Sequence, residues 1–94
     1  MHGFDIVEVV IEVSRGDHIK RDGRGVAEFL SPLPCPFNYG SVVDSTAEDG
    51  DPIDAVVLGS RLDRGQIVAA HVVGVVAFVD AGQRDDKWVC SNAP

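Results

Sequence analysis

An all-β fold, closed into a small barrel, is what this 94-residue sequence predicts. Three observations predict it. Apolar and polar residues alternate with period two in the longest runs. Glycine- and aspartate-rich turns break the chain at short intervals. No stretch carries the period of a convincing amphipathic helix. Short strands with glycine bends suit a closed or partly open barrel, because closure removes exposed strand edges.

From Phe4 to Val13 the odd positions Val7, Val9, Ile11 and Val13 are apolar, while Glu8 and Glu12 share the other face. That is a strand with one buried face. Ser14-Arg15-Gly16-Asp17 breaks it. Ile19 and Lys20 start a second strand, Asp22-Gly23-Arg24-Gly25 forms a tight turn, and Val26 to Leu30 returns. Three prolines between Ser31 and Pro36 exclude helix and central strand, so this stretch is expected to run extended over the core. Asn38-Tyr39-Gly40 ends it, and Ser41 to Val43 is a short strand.

An acidic turn spans Asp44 to Asp54. Ala55 to Leu58 is a short apolar run, expected to be a buried strand. After a polar turn at Arg61 to Gly65, Gln66 to Val79 is the longest strand region, with a bend or bulge at Gly74. Asp80 to Arg84 is a hairpin turn, and Lys87 to Cys90 is the final strand.

Residues 1–94 are long enough for one domain and no more. Eight Lys and Arg stand against fifteen Asp and Glu, a formal charge of −7. Nucleic-acid binding needs a basic footprint, which this chain does not show. The N-terminus lacks the basic and apolar regions of a signal peptide. The apolar run from Ile67 to Val79 is shorter than the ~20 residues of a membrane-spanning helix. Cys35 and Cys90 are too few for a disulfide framework. No nucleic acid, no membrane and a cytoplasmic location are therefore expected.

Asp49-Gly50-Asp51-Pro52-Ile53-Asp54 carries the most chemistry. Gly50 permits a sharp turn, and Pro52 stiffens the residues after it. Three carboxylates held so close repel one another, and a divalent cation relieves that repulsion. Mg2+ takes one or two carboxylates and completes its shell with water and phosphate oxygens. The competing reading is a solvated loop whose aspartates cap their own backbone. A second acidic group, Asp80, Asp85 and Asp86, precedes Lys87, which would ion-pair or contact a phosphate. A hairpin there would bring Asp80 and Asp85 to one end of the barrel. Glu12, at the end of an apolar strand, faces either solvent or a site.

These residues resemble the family I soluble inorganic pyrophosphatases. Asp49-Gly50-Asp51-Pro52-Ile53-Asp54 matches that family's signature. Val10-Ile11-Glu12-Val13 resembles its first-strand motif, and Pro36-Phe37-Asn38-Tyr39-Gly40 the segment before the acidic turn. Asp80 to Lys87 has the Asp-x4-Asp-x-Lys spacing of its second acidic hairpin.

The resemblance implies a five-stranded, OB-like barrel that hydrolyses pyrophosphate to two phosphates with a metal-bound water or hydroxide as nucleophile. It implies Mg2+ as cofactor, with Mn2+ and Zn2+ as alternatives. Asp49, Asp54, Asp80, Asp85 and Glu12 would be metal ligands. Asp51 would orient the attacking water or take its proton. Lys20, Tyr39 and Lys87 would contact phosphate oxygens, with Asp22 also on the substrate side. A homo-oligomer is implied as well, its contacts covering apolar barrel surface.

The chain departs from the pattern in places. Lys20-Arg21-Asp22 stands where the family has Lys-x-Glu, Ala27 or Glu28 falls near an expected arginine, and Cys35 replaces a tyrosine. The resemblance spans about half of the family's length. A tyrosine–lysine pair that binds phosphate and a helix packed on the barrel lie beyond the part matched. The alternative function is therefore a paralogue that binds metal and phosphate with little turnover, or one that pairs with a full-length homologue.

Overall fold

A computed structural model describes residues 6–21, 27–30, 33–48, 50–77 and 79–93. Its strands are β1 (Ile6–Val13), β2 (Ile19–Arg21), β3 (Ala27–Leu30), β4 (Asn38–Val42), β5 (Asp54–Leu58), β6 (Ile67–Val76), β7 (Val79–Asp80), β8 (Gln83–Arg84) and β9 (Lys87–Ser91). Five of them close a barrel in the order β1-β4-β5-β9-β6. The expected all-β barrel is therefore the observed fold. Strands β2–β3 and β7–β8 form separate two-stranded hairpins. The second turns on Ala81 and Gly82, both at positive φ, which matches the twist of a two-residue hairpin.

The core arises from the alternation. On β1, Val9 and Ile11 point inward, and Val42, Ala55, Val57, Ala70 and Cys90 meet them from the other barrel strands, while Val13, beyond this cluster, is buried as well. Trp88 and Ile53 pack partly buried against this cluster. Strand β5 alternates: Ala55 and Val57 are buried, while Leu58 is exposed. It is half-buried, not the wholly buried strand its apolar composition suggested.

Two strand boundaries differ from the sequence reading. Strand β4 already begins at Asn38, so Tyr39 and Gly40 lie within it, and it ends at Val42. The reason is buried polar chemistry. Asn38 is fully buried, and its amide group is satisfied on both sides. Oδ1 accepts from the N–H groups of Arg15 and Leu62 at 3.0 and 2.9 Å. Nδ2 donates to Val57 O and Ser60 O at 3.3 and 2.8 Å. This anchors the strand's first residue to three neighbouring segments. Strand β6 ends at Val76, and Val79 opens the β7–β8 hairpin instead. The predicted irregularity at Gly74 is present as a register shift between Val72 and Gly74 against β9.

Gly40 permits a very close approach of two barrel strands. A Cβ there would stand 1.9 Å from Val10 O and 2.9 Å from Val10 C. Only glycine lets β1 and β4 come this close. Just beyond, the pairing slips: Ile11 faces Gly40 but Val13 faces Tyr39. Glu12 is the extra residue of this bulge, half-buried and off the core face.

Candidate active site

The site forms where two strand starts meet. Strands β5 and β9 are parallel, with Asp54 opposite Lys87. Each strand is preceded by an acidic segment, so parallel pairing delivers both segments to the same end of the barrel. Strand β4 lies on the other side of β5, with Ser41 opposite Asp54 and Tyr39 opposite Val56. Glu12, Ser41, Tyr39, Asp54 and Lys87 alternate with core residues, so all five sit on the outer face of adjacent strands.

Lys87 is the centre of this face. Its Nζ lies 2.9 Å from Asp54 Oδ2 and 3.1 Å from Asp85 Oδ2. It also stands 5.9 Å from the centroid of the Tyr39 ring. Partial burial alone would push the ammonium toward deprotonation, but the hydrogen bonds to Asp54 and Asp85 outweigh it, and its pKa is raised. Lys87 is therefore a firmly held cation. The Tyr39 phenol is pushed up to about 12, chiefly by burial and then by the Asp54 carboxylate. It stays protonated at neutral pH and keeps a donor O–H.

On the β1 side, Ser41 Oγ donates to Glu12 Oε2 at 2.6 Å. The acidic turn is pinned to the barrel by Ser45, whose Oγ donates to Val42 O at 2.6 Å and accepts from Ile53 N at 2.9 Å. Within the turn, Ala47 N donates to Asp51 O and Gly50 N to Ala47 O. Gly50 adopts φ +89°, the sharp turn expected of it. Asp51 is exposed at the turn. A depression lined by Ala47, Glu48, Ile53, Arg84, Asp86 and Trp88 separates the turn from the β7–β9 segment. Arg84 forms an ion pair with Asp86 across that segment.

The structure thus brings Tyr39, Asp54, Asp85 and Lys87 together and sets Glu12 on the same face. Asp49 and Asp22 lie outside the described residues, as do Val26 and Arg24. Lys20 lies on β2 opposite Phe29, and Asp80 on β7 opposite Gln83; only their backbones are described. Ser41 is a site residue that sequence reasoning missed. Its signal is the register across β1, β4 and β5, which no single stretch of sequence displays.

The donor set fits a hard divalent cation. Two carboxylates already converge on one positive charge, the Lys87 ammonium, and every acidic group named on this face offers oxygen. Among the described residues no three ligating side chains cluster tightly enough to form a complete metal site. Asp54 and Asp85, with Glu12 nearby, are the described residues that would hold one.

Fold and site define a class: a five-stranded barrel with a carboxylate–lysine–tyrosine cluster on its outer face. A family model described as inorganic pyrophosphatase matches residues 9–93. The inorganic pyrophosphatase of Haemophilus influenzae is 38% identical over 96 residues, covering 94% of this chain and 54% of the relative. That of Neisseria meningitidis serogroup A is 37% identical over 96 residues with the same coverage. The solved inorganic pyrophosphatase from Thermus thermophilus superposes with a TM-score of 0.82 at 32% identity, over 95% of this chain and 56% of that one. The Helicobacter pylori enzyme gives 0.82 at 32% identity, over 97% and 58%. The chain belongs to the inorganic pyrophosphatase family. It spans about half the length of the curated relatives it matches.

Proposed function

We propose that this face hydrolyses inorganic pyrophosphate to two phosphates with Mg2+. The observation that carries the reading is the convergence of Asp54 and Asp85 on Lys87 beside Tyr39, in a chain of this family. A dianionic phosphate needs cations and O–H donors facing it, and a hard cation needs carboxylates; here both sets share one face.

Asp54 and Asp85 hold the cation, together with Asp49, Asp80 and Glu12. When bound, a divalent cation polarises phosphate oxygens and acidifies water. Asp51, exposed on the turn, accepts a proton from the attacking water. Water oxygen forms the new bond to phosphorus as the bridging P–O bond breaks. Lys87 and Tyr39 donate hydrogen bonds to phosphate oxygens and offset their developing charge. Lys20 and Asp22 complete the substrate side. Residues 1–94 act as one barrel domain, in the cytoplasm and within a homo-oligomer. Among the described residues no helix is long and apolar enough to cross a membrane.

The test is phosphate release from pyrophosphate, with and without Mg2+, beside an Asp51→Ala variant. Mg2+-dependent release well above the variant is expected. Release no faster than Asp51→Ala refutes the reading.

A further inference from the structure

We infer that Ser41 is a positioning residue for the Glu12 carboxylate and that divalent-cation binding at this face depends on it. The inference rests on the functional reading above and goes beyond it in assigning a role to Ser41.

Three observations meet at this side chain. Ser41 Oγ lies 2.6 Å from Glu12 Oε2, a short charge-assisted hydrogen bond between residues on different strands. Glu12 is the extra residue of a β-bulge, so the regular ladder does not fix its direction. A flexible glutamate at such a point needs another restraint. Among the described residues, Ser41 is the side chain that supplies a hydrogen bond to it. Lastly, register places Ser41 directly between β1 and Asp54, which in turn faces Lys87. Ser41 thus links the first-strand carboxylate to the Asp54–Lys87 pair.

The chemistry suits positioning. A carboxylate has about four lone-pair sites, so one O–H bond at Oε2 leaves the rest for a cation or its water shell. The bond removes rotamer freedom from Glu12 before a ligand arrives, so less ordering accompanies binding. A hydroxyl does this without adding charge, where a lysine or arginine would compete with the cation for the same oxygens.

The test uses the full chain and Mg2+ and Mn2+ as probes, read by calorimetry, with Ser41→Ala, Ser41→Thr, Glu12→Gln and the double variant Glu12→Gln/Ser41→Ala. Thermal melting without metal shows that each variant is folded. Ser41→Ala is expected to weaken cation binding about tenfold, the scale of one charge-assisted hydrogen bond. Ser41→Thr, which keeps the hydroxyl on a strand, should stay near the parent. In the Glu12→Gln background, Ser41→Ala should cost little more. A merely structural serine would give the same loss in both backgrounds, and that result overturns the inference. So does a Ser41→Ala chain that binds cation as the parent does, or a folded Ser41→Thr that binds as poorly as Ser41→Ala. A parent chain that binds neither cation overturns the functional reading itself, and this inference with it. A parent that binds while Ser41→Ala is unchanged removes only the inference.

Discussion

Gly40→Ala is the substitution for which the structure gives the sharpest number. The new Cβ would lie 1.9 Å from Val10 O, against a floor of about 3.0 Å for real contacts, so β1 and β4 must separate by at least 1.1 Å (3.0 Å less 1.9 Å). The obstructing atoms are backbone, so no side chain can swing aside. Overpacking of this kind costs about 1–3 kcal/mol. Pushing the strands apart also weakens about two ladder hydrogen bonds, each worth roughly 1 kcal/mol. Together that is about 3–5 kcal/mol, a large share of the roughly 5–15 kcal/mol that holds a typical domain. For a chain of this size each kcal/mol moves the melting temperature about 4–8 °C, so a fall of about 12 °C or more is expected. Circular dichroism melts of parent and variant measure it. Gly74→Ala is the control, because nothing lies within 4 Å of its added methyl and its φ is not positive. It should change stability by no more than ~1 kcal/mol. A Gly40→Ala protein melting within about 3 °C of the parent would refute the reasoning, since the close approach would then not be real. The same separation would pull Glu12 from Ser41, so cation affinity should fall along with stability.

The same geometry makes three further outcomes measurable. Lys87→Met leaves Asp54 and Asp85 facing each other without their shared cation. The metal-free chain should lose about 1–3 kcal/mol, and Mg2+ should raise its melting temperature more than the parent's; an equal metal response in both would count against the pairing. Raised pKa values at Lys87 and Tyr39 mean that the folded state holds these protons more tightly than the unfolded chain. Their stabilisation should be complete below about pH 10 and fade as pH climbs from there toward 12; melts across that range should be flatter in a Tyr39→Phe/Lys87→Met variant. Asn38→Ala deletes four hydrogen bonds and leaves buried backbone groups unpaired, so a loss of about 3–5 kcal/mol in urea unfolding is expected, and Asn38→Asp should not rescue it, because an acceptor-only oxygen would then face the Val57 and Ser60 carbonyls in a buried position.

Much of the fold was legible because period two is a local signal. The buried set Val9, Ile11 and Val13 can be counted off β1 directly, and the bulge at Gly74 shows as a glycine inside a strand pattern. Strand β4 starts earlier than its sequence suggests because its start depends on Asn38, a polar residue that looks like a turn former until its four distant partners are known. The acidic residues Asp54 and Asp85 and the neighbouring Lys87 were visible as types and spacings. Their meeting was not, because it depends on the parallel pairing of β5 and β9 with β6 intervening in sequence. Ser41 was invisible for the same reason. A serine on a short strand becomes part of a site only through the register on both its flanks.

The parallel pairing also explains why the site is costly to form and why a ligand should stabilise it. Antiparallel neighbours would have sent the two acidic segments to opposite ends of the barrel, where their charges would be apart and dilute. Parallel pairing instead concentrates them, in a chain already carrying −7. Without metal, Lys87 offsets the repulsion between Asp54 and Asp85, with its ammonium 2.9 Å from one and 3.1 Å from the other. A bound divalent cation would do so with twice the charge and release Lys87 toward an anionic ligand. Binding to the folded chain alone adds RT ln(1 + [L]/Kd), about 2.7 kcal/mol at a hundredfold excess over Kd. Under the proposed function, the charge crowding offset here by Lys87 is the same feature that would give this face affinity for a hard cation and, through Lys87 and Tyr39, for a phosphate beside it.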